Sequence, residues 1–278
     1  MNQPHPPPQC PIPPCGWRVL AATVRGSGHR RSGDPCQDAH QWLAMPPHGL
    51  VTAIADGAGS APLGSVGASL ASGTAIDLLA RLLRSREPAF TISFAAPESV
   101  ERLLRDTVAE TRAALAREAL IRGAPLRDLA TTLLLVLATP QGIALAQIGD
   151  GALVVRREDD TLDSLSLPGE SEHINETVFL TAPDAAERLH IVVCQEHVAQ
   201  WALFSDGLQL LALRLADFTP HAPFFRPLFR FAAHPAASGA QEQLAAFLQS
   251  PRVVERTDDD LTLLLATLEW DNRVASTI

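Results

Sequence analysis

The sequence predicts an α+β domain in which sheets pack together and helices lie outside them. Three observations carry this. Short apolar runs of strand length recur along the chain. The helical stretches gather in two blocks instead of alternating with strands, which disfavours a parallel doubly wound sheet. Apolar residues make up 46% of the 278 and charged residues 19%, enough for a sizeable core and too few charges for global disorder.

The elements follow in chain order. Met1 to Cys15 holds seven prolines and no basic segment, so residues 1–15 read as a disordered or polyproline tail, not a signal peptide. Trp17 to Val24 reads as a strand, and Leu50 to Ala55 is a second, ended by Asp56-Gly57. Gly64 to Arg84 and Val100 to Ile121 carry helical periods. In the first these are Ile76, Leu79, Leu82 and Leu83; in the second, Leu104, Val108, Leu115 and Ala119. Leu129 to Gly149 is 21 residues without a charge, long enough to span a bilayer. Thr139-Pro140-Gln141-Gly142 interrupts it, so 131–138 and 143–148 read as a β-hairpin. Strands are predicted at 152–155, 178–180, 189–193 and 201–204, helices at 207–214, 222–232 and 239–249, and a last strand at 261–268. One domain, 16–270, is expected, followed by a tail at 271–278.

Composition excludes several chemistries. The basic residues are all arginine. Without lysine there is no Walker phosphate loop, no Schiff base and no kinase lysine. A net charge of −9 without a basic block argues against nucleic acid as a partner. The cysteines at 10, 15, 36 and 194 form no Cys-x-x-Cys pair and are expected as reduced thiols in a cytoplasmic protein with no membrane partner.

The chemistry-bearing feature is where the aspartates stand. Asp56, Asp150 and Asp206 each follow an apolar run and precede glycine, and Asp258-Asp259-Asp260 opens into Leu261-Thr262. Taken singly, each Asp-Gly is an ordinary turn. Taken together, strand-end acids could share one cleft, where they need a compensating cation; oxygen ligands suit Mg²⁺ or Mn²⁺. Composition and spacing leave both readings open. Phe224, Phe225, Phe229 and Phe231 fall at helical spacing and read as core.

The motifs in order are Gly26-Ser27-Gly28-His29, Pro35-Cys36-Gln37-Asp38-Ala39, Asp56-Gly57-Ala58-Gly59-Ser60, Ala130-Thr131-Thr132, Gly149-Asp150-Gly151, Ser205-Asp206-Gly207 and Asp259-Asp260-Leu261-Thr262. This series resembles the bacterial branch of the protein phosphatase 2C family, the metal-dependent serine/threonine phosphatases. The resemblance covers about Gly16 to Leu268. It implies a four-layer αββα sandwich of two mainly antiparallel sheets flanked by helices. It also implies hydrolysis of phosphoserine and phosphothreonine by water activated at two Mn²⁺ or Mg²⁺ ions, with a third ion in many members.

Carried over by resemblance, Asp56 bridges both metals, the Gly57 carbonyl binds one, Asp206 and Asp259 are terminal ligands, and Asp150 holds the third. Asp38 orients the nucleophilic water. Arg30, Arg31 and His29 are the candidates for binding phosphate, Arg30 and Arg31 standing upstream of Gly33, where relatives carry an arginine. Thr131 and Thr132 are expected to pack near the site. The chain departs from many relatives at Gln37, where a Glu is common, at Ala58, where eukaryotic members often carry a histidine, and at Leu210, where some have a second acid. His29 or His40 is then a candidate to protonate the leaving group. The implied partners are a phosphoprotein substrate and an opposing serine/threonine kinase. The alternative reading is a phosphoprotein-binding module that has lost turnover, and a hydrolase of small phosphate esters is a third.

Overall fold

The computed structural model describes residues 15–45, 49–85, 94–166, 177–233 and 239–270. The expected tails therefore lie almost wholly outside it. The first element is β1 (Cys15–Val24), followed by α1 (Ser27–Ser32), β2 (Asp38–Met45), β3 (Gly49–Asp56), α2 (Gly64–Arg84) and α3 (Pro97–Arg122). Next come β4 (Leu133–Thr139), β5 (Gly142–Ile148), β6 (Ala152–Arg156), β7 (Leu162–Ser164), β8 (His190–Cys194) and β9 (Gln200–Phe204). The chain ends through α4 (Gln209–Ala212), β10 (Leu213–Arg214), β11 (Thr219–Pro220), α5 (Ala222–Ala233), α6 (Ala240–Leu248), α7 (Pro251–Val254) and β12 (Leu261–Trp270).

Among the described residues, two five-stranded sheets form the centre, in the orders β1-β12-β9-β6-β7 and β2-β3-β4-β5-β8, and every pairing in them is antiparallel. Strand periodicity explains the layering. Successive side chains point to opposite faces, so a strand covered on both sides must be apolar throughout. In β4, Leu134, Val136 and Ala138 face the other sheet, while Leu133, Leu135 and Leu137 face α2 and α3. In β12, Leu264 and Ala266 point inward, and Leu263 and Leu265 point toward α5 and α6. Three apolar layers result: helix on sheet, sheet on sheet, sheet on helix. This is the αββα sandwich expected.

The uncharged 129–149 stretch is the β4–β5 hairpin, with Thr139 opposite Gly142. Helix α2 is long and apolar enough to cross a membrane by length and composition. Its Ala68, Ala71 and Ala75 are buried in the core shared with the sheet, and Gly67 backs onto the Leu129 carbonyl. Phe225 and Phe229 are fully buried, as expected of core residues.

Three expectations differ from the structure. Val178–Leu180 is loop: the Leu180 N–H donates to the Thr131 carbonyl at 2.7 Å, an isolated bond and not a ladder. Residues 207–214 form only a 3₁₀ turn, the four-residue α4 and the short β10. Strand β2 was not expected, because Asp38–Met45 is buried at its two ends and exposed at Gln41 and Trp42 in the middle, with no clean alternation.

Candidate active site

Asp38 and Asp56 face each other at the same end of the sandwich, as directly opposed residues of β2 and β3. The Asp56 backbone is clamped from both sides. Its N–H donates to Thr132 Oγ1 at 2.9 Å, and its carbonyl accepts Thr131 Oγ1 at 2.9 Å and the Thr132 N–H at 2.8 Å. The Gly57 N–H donates to the Gln37 carbonyl at 3.1 Å, tying the turn after β3 to the lead-in of β2.

The second sheet brings the other acids. Asp206 follows β9 and opens a 3₁₀ turn, and Asp259 precedes β12. Two glycines bracket the acid loop between them. A Cβ on Gly207 would stand 2.2 Å from the Asp260 carbonyl oxygen, and one on Gly26 would stand 2.3 Å from the Asp259 backbone. No side chain fits either place, so the loop seats directly against β1 and the 3₁₀ turn. Asp150, just past β5, accepts Thr177 Oγ1 at 2.7 Å.

These carboxyls feel one another. Burial, then the charges of Asp38, Asp206 and Asp259, push Asp56 up to about 11. Burial, then Asp150, Asp259 and Asp38, push Asp206 up to about 7. Burial also raises Asp38 to about 7, although Ser205 and Thr262 donate hydroxyl hydrogen bonds that pull it back. Asp259 is raised by burial and by neighbouring Asp260 and Asp258. Asp260 is the exception. Burial would raise it, but the Gly26 N–H and Gln37 N–H, each at 2.6 Å, and His29 Nδ1 at 2.9 Å outweigh that and hold it below the usual carboxylate range.

Such a set of acids is electrostatically costly unless protons or cations compensate it. Among the described residues, no three His, Cys, Asp or Glu side chains stand close enough together to hold a metal ion. Two buried oxygens, Asp206 Oδ1 and Gln37 Oε1, meet no hydrogen-bond donor. Buried acceptors of this kind, beside carboxyls that resist ionisation, fit a hard divalent cation.

The protein phosphatase 2C family model matches residues 25–249. The chain belongs to the protein phosphatase 2C family. It is 36% identical over 264 aligned residues to serine/threonine-protein phosphatase 3 of Escherichia coli strain K12, covering 90% of this chain and 98% of that protein. Among solved structures it resembles a serine/threonine phosphatase from Staphylococcus aureus, with a TM-score of 0.59 at 16% identity over 97% of this chain and 100% of that one. It also resembles PppA, described as a key regulatory component of T6SS in Pseudomonas aeruginosa, with a TM-score of 0.56 at 19% identity over 91% of this chain and 98% of that one. These two likenesses concern the fold.

This 2C phosphatase is thus a phosphoprotein phosphatase of a metal-dependent family, with Asp38 and Asp56 directly opposed at the ends of β2 and β3. The basic candidates sit differently. His29 Nδ1 is engaged by Asp260. Exposed Arg30 folds back to donate to the Arg25 carbonyl, from Nε at 2.9 Å and Nη2 at 2.5 Å. Exposed Arg31 pairs with Asp258 at 3.1 Å, next to Asp259. Arg25, not singled out from the sequence, is half-buried, donates to the His29 carbonyl at 2.5 Å, and its buried Nε has no partner. His40 turns toward β1, its Nδ1 2.8 Å from Thr23 Oγ1. Leu210 is largely exposed.

Sequence reasoning also passed over Asp260, Ser205 and Thr262. Their motif neighbours were visible; their hydrogen bonds, across 57 to 234 residues of chain, were not. Cys36 completes the inventory. Burial, then Asp260 and Asp38, push its thiol up to about 12, so it is no thiolate nucleophile at neutral pH.

Proposed function

We propose that this phosphatase hydrolyses phosphoserine and phosphothreonine in proteins at a pair of divalent ions, Mn²⁺ or Mg²⁺, held by Asp56, the Gly57 carbonyl, Asp206 and Asp259. One observation carries the reading: Asp38 stands directly opposite Asp56 in one sheet while its Oδ2 accepts the hydroxyls of Ser205 and Thr262, the first adjoining Asp206 and the second three residues past Asp259, so the acid-bearing ends of both sheets meet. Once bound, the ions supply a water that is nucleophilic near neutral pH and cancel charge that would repel a phosphate dianion.

The chain's own groups do the rest. Asp38 Oδ2 takes both the Ser205 and Thr262 hydroxyls, at 2.7 and 2.8 Å. That leaves Oδ1 to orient the attacking water in line with the serine or threonine oxygen. Asp150 lies near enough to perturb Asp206 and would hold a third ion. A kinase that installs the phosphate is the partner class such a site works against. The module without turnover is not favoured, because the family match and the 36% identity to a serine/threonine-protein phosphatase run over most of the chain and the motif aspartates are all present.

The test is hydrolysis of a phosphothreonine peptide with Mn²⁺ and with chelator. Turnover is expected with metal, to vanish with chelator, and to fall about 100-fold or more in Asp206→Ala. Tight phosphopeptide binding without turnover would overturn the reading, and faster hydrolysis of sugar phosphates would overturn the substrate class.

A further inference from the structure

We propose that His40 and Thr23, acting through Thr262, form a directional hydrogen-bond relay that fixes the orientation of Asp38, which makes His40 a positioning residue for hydrolysis. The inference rests on the role given above to Asp38.

Proton accounting carries it. A hydroxyl has one proton to donate. Ser205 and Thr262 each spend theirs on Asp38 Oδ2 when that acid is ionised. Ser205 Oγ meanwhile accepts the Thr262 N–H at 3.0 Å. Thr262 Oγ1 also lies 2.7 Å from Thr23 Oγ1. Its proton is spent, so Thr23 must be the donor there. Thr23 Oγ1 then has no proton left for His40 Nδ1, 2.8 Å away, and His40 must donate. The imidazole is thereby set as the Nδ1–H form, and every bond points toward Asp38.

The path explains why so remote a group matters. Asp38 and His40 are two apart on β2, hence on one face of the strand. Between them the relay crosses to β1 at Thr23 and to β12 at Thr262, in the other sheet. It therefore pins the β2 end of one sheet against the other below the acid cluster. Thr262 is fully buried and His40 half-buried, so water competes poorly for these bonds. Burial holds His40 below its ordinary pKa, consistent with a neutral ring.

The experiment is ¹⁵N NMR of the full-length, histidine-labelled protein, with the His40 signals assigned by their loss in His40→Asn. The neutral Nδ1–H tautomer is expected, and Thr23→Val should abolish it. A neutral Nε2–H tautomer in the wild type would overturn the relay. Kinetics give the second arm. Thr23→Val and His40→Leu should each lower kcat about 10-fold with KM nearly unchanged. Thr23→Ser and His40→Asn, which return a hydroxyl and an amide N–H to the same places, should recover most of the loss. Unchanged kcat in folded Thr23→Val, or no recovery in the conservative pair, contradicts the proposal. Should Thr23→Val fail to fold, the wild-type tautomer still decides. A wild-type protein without turnover would sink the role of Asp38 as the water-orienting acid, whereas the wrong tautomer with normal turnover would sink only the relay.

Discussion

Asp260 shows how one carboxylate organises its surroundings. It is buried, yet its two oxygens collect the Gly26 N–H, the Gln37 N–H and the His29 ring. These partners come from the turn after β1, helix α1 and the lead-in to β2, so Asp260 ties the loop carrying Asp259 to the segment carrying Asp38. Asp260→Ala would leave two backbone donors buried and unpaired, a loss of about 3 kcal/mol. Urea denaturation should show a lowered midpoint, and turnover should fall with it; an unchanged midpoint would contradict this role. Asp259, by contrast, is open to solvent on its outer side while its carboxyl is partly shielded, and its Oδ1 accepts the neighbouring Asp260 N–H at 2.8 Å. The two adjacent acids thus divide into an anchor and a ligand candidate. Nothing local in the triplet of aspartates tells them apart, because the anchor's partners lie more than 220 residues away.

At the scale of elements, the strands and their ends do most of the positioning. Strands β3, β4, β5 and β12 were legible because burial on both faces forces a continuous apolar run, and each is flanked by turn residues or acids. Strand β2 was illegible for the opposite reason: it has an exposed middle, and it carries two polar residues, Asp38 and His40, on one face where a core strand would carry apolar ones. Close backbone approach is the other element-scale device. Gly207→Ala forces a Cβ against the Asp260 carbonyl and should cost about 2 kcal/mol together with most of the turnover. Gly73→Ala, with open space around its Cβ position in the middle of α2, should instead stabilise by about 0.5–1 kcal/mol. Thermal melts of the pair read both signs, and equal shifts would contradict the close-packing account.

For the whole molecule, the acid cluster makes stability depend on pH and on metal. Asp38 and Asp206 lie at about 7 against an ordinary 3.8, raised first by burial. A carboxyl with a raised folded pKa binds its proton more tightly in the folded state. Its stabilising contribution is full below the ordinary value and is lost as pH climbs through the folded one. Chelator-treated protein should therefore melt at falling temperature from about pH 5 to pH 8. Asp260, held low, acts in the opposite sense, but only on acidification below the ordinary carboxylate range. Saturating Mn²⁺ should remove most of the decline, since the ions neutralise the same carboxylates. A flat profile without metal would contradict this coupling.

The motif order made the acid ligand candidates legible at this scale. The basic contacts were not, because where an arginine on a loop points depends on tertiary partners such as the Arg25 carbonyl and Asp258. The function proposed for this site requires acids from both sheets to share a pair of cations. Anomalous diffraction from a crystal soaked in Mn²⁺ tests this most directly. Two peaks are expected among Asp56, the Gly57 carbonyl, Asp206 and Asp259, with Asp38 beside them but not coordinating. No peak there at saturating Mn²⁺, or ions seated on other acids, would contradict it.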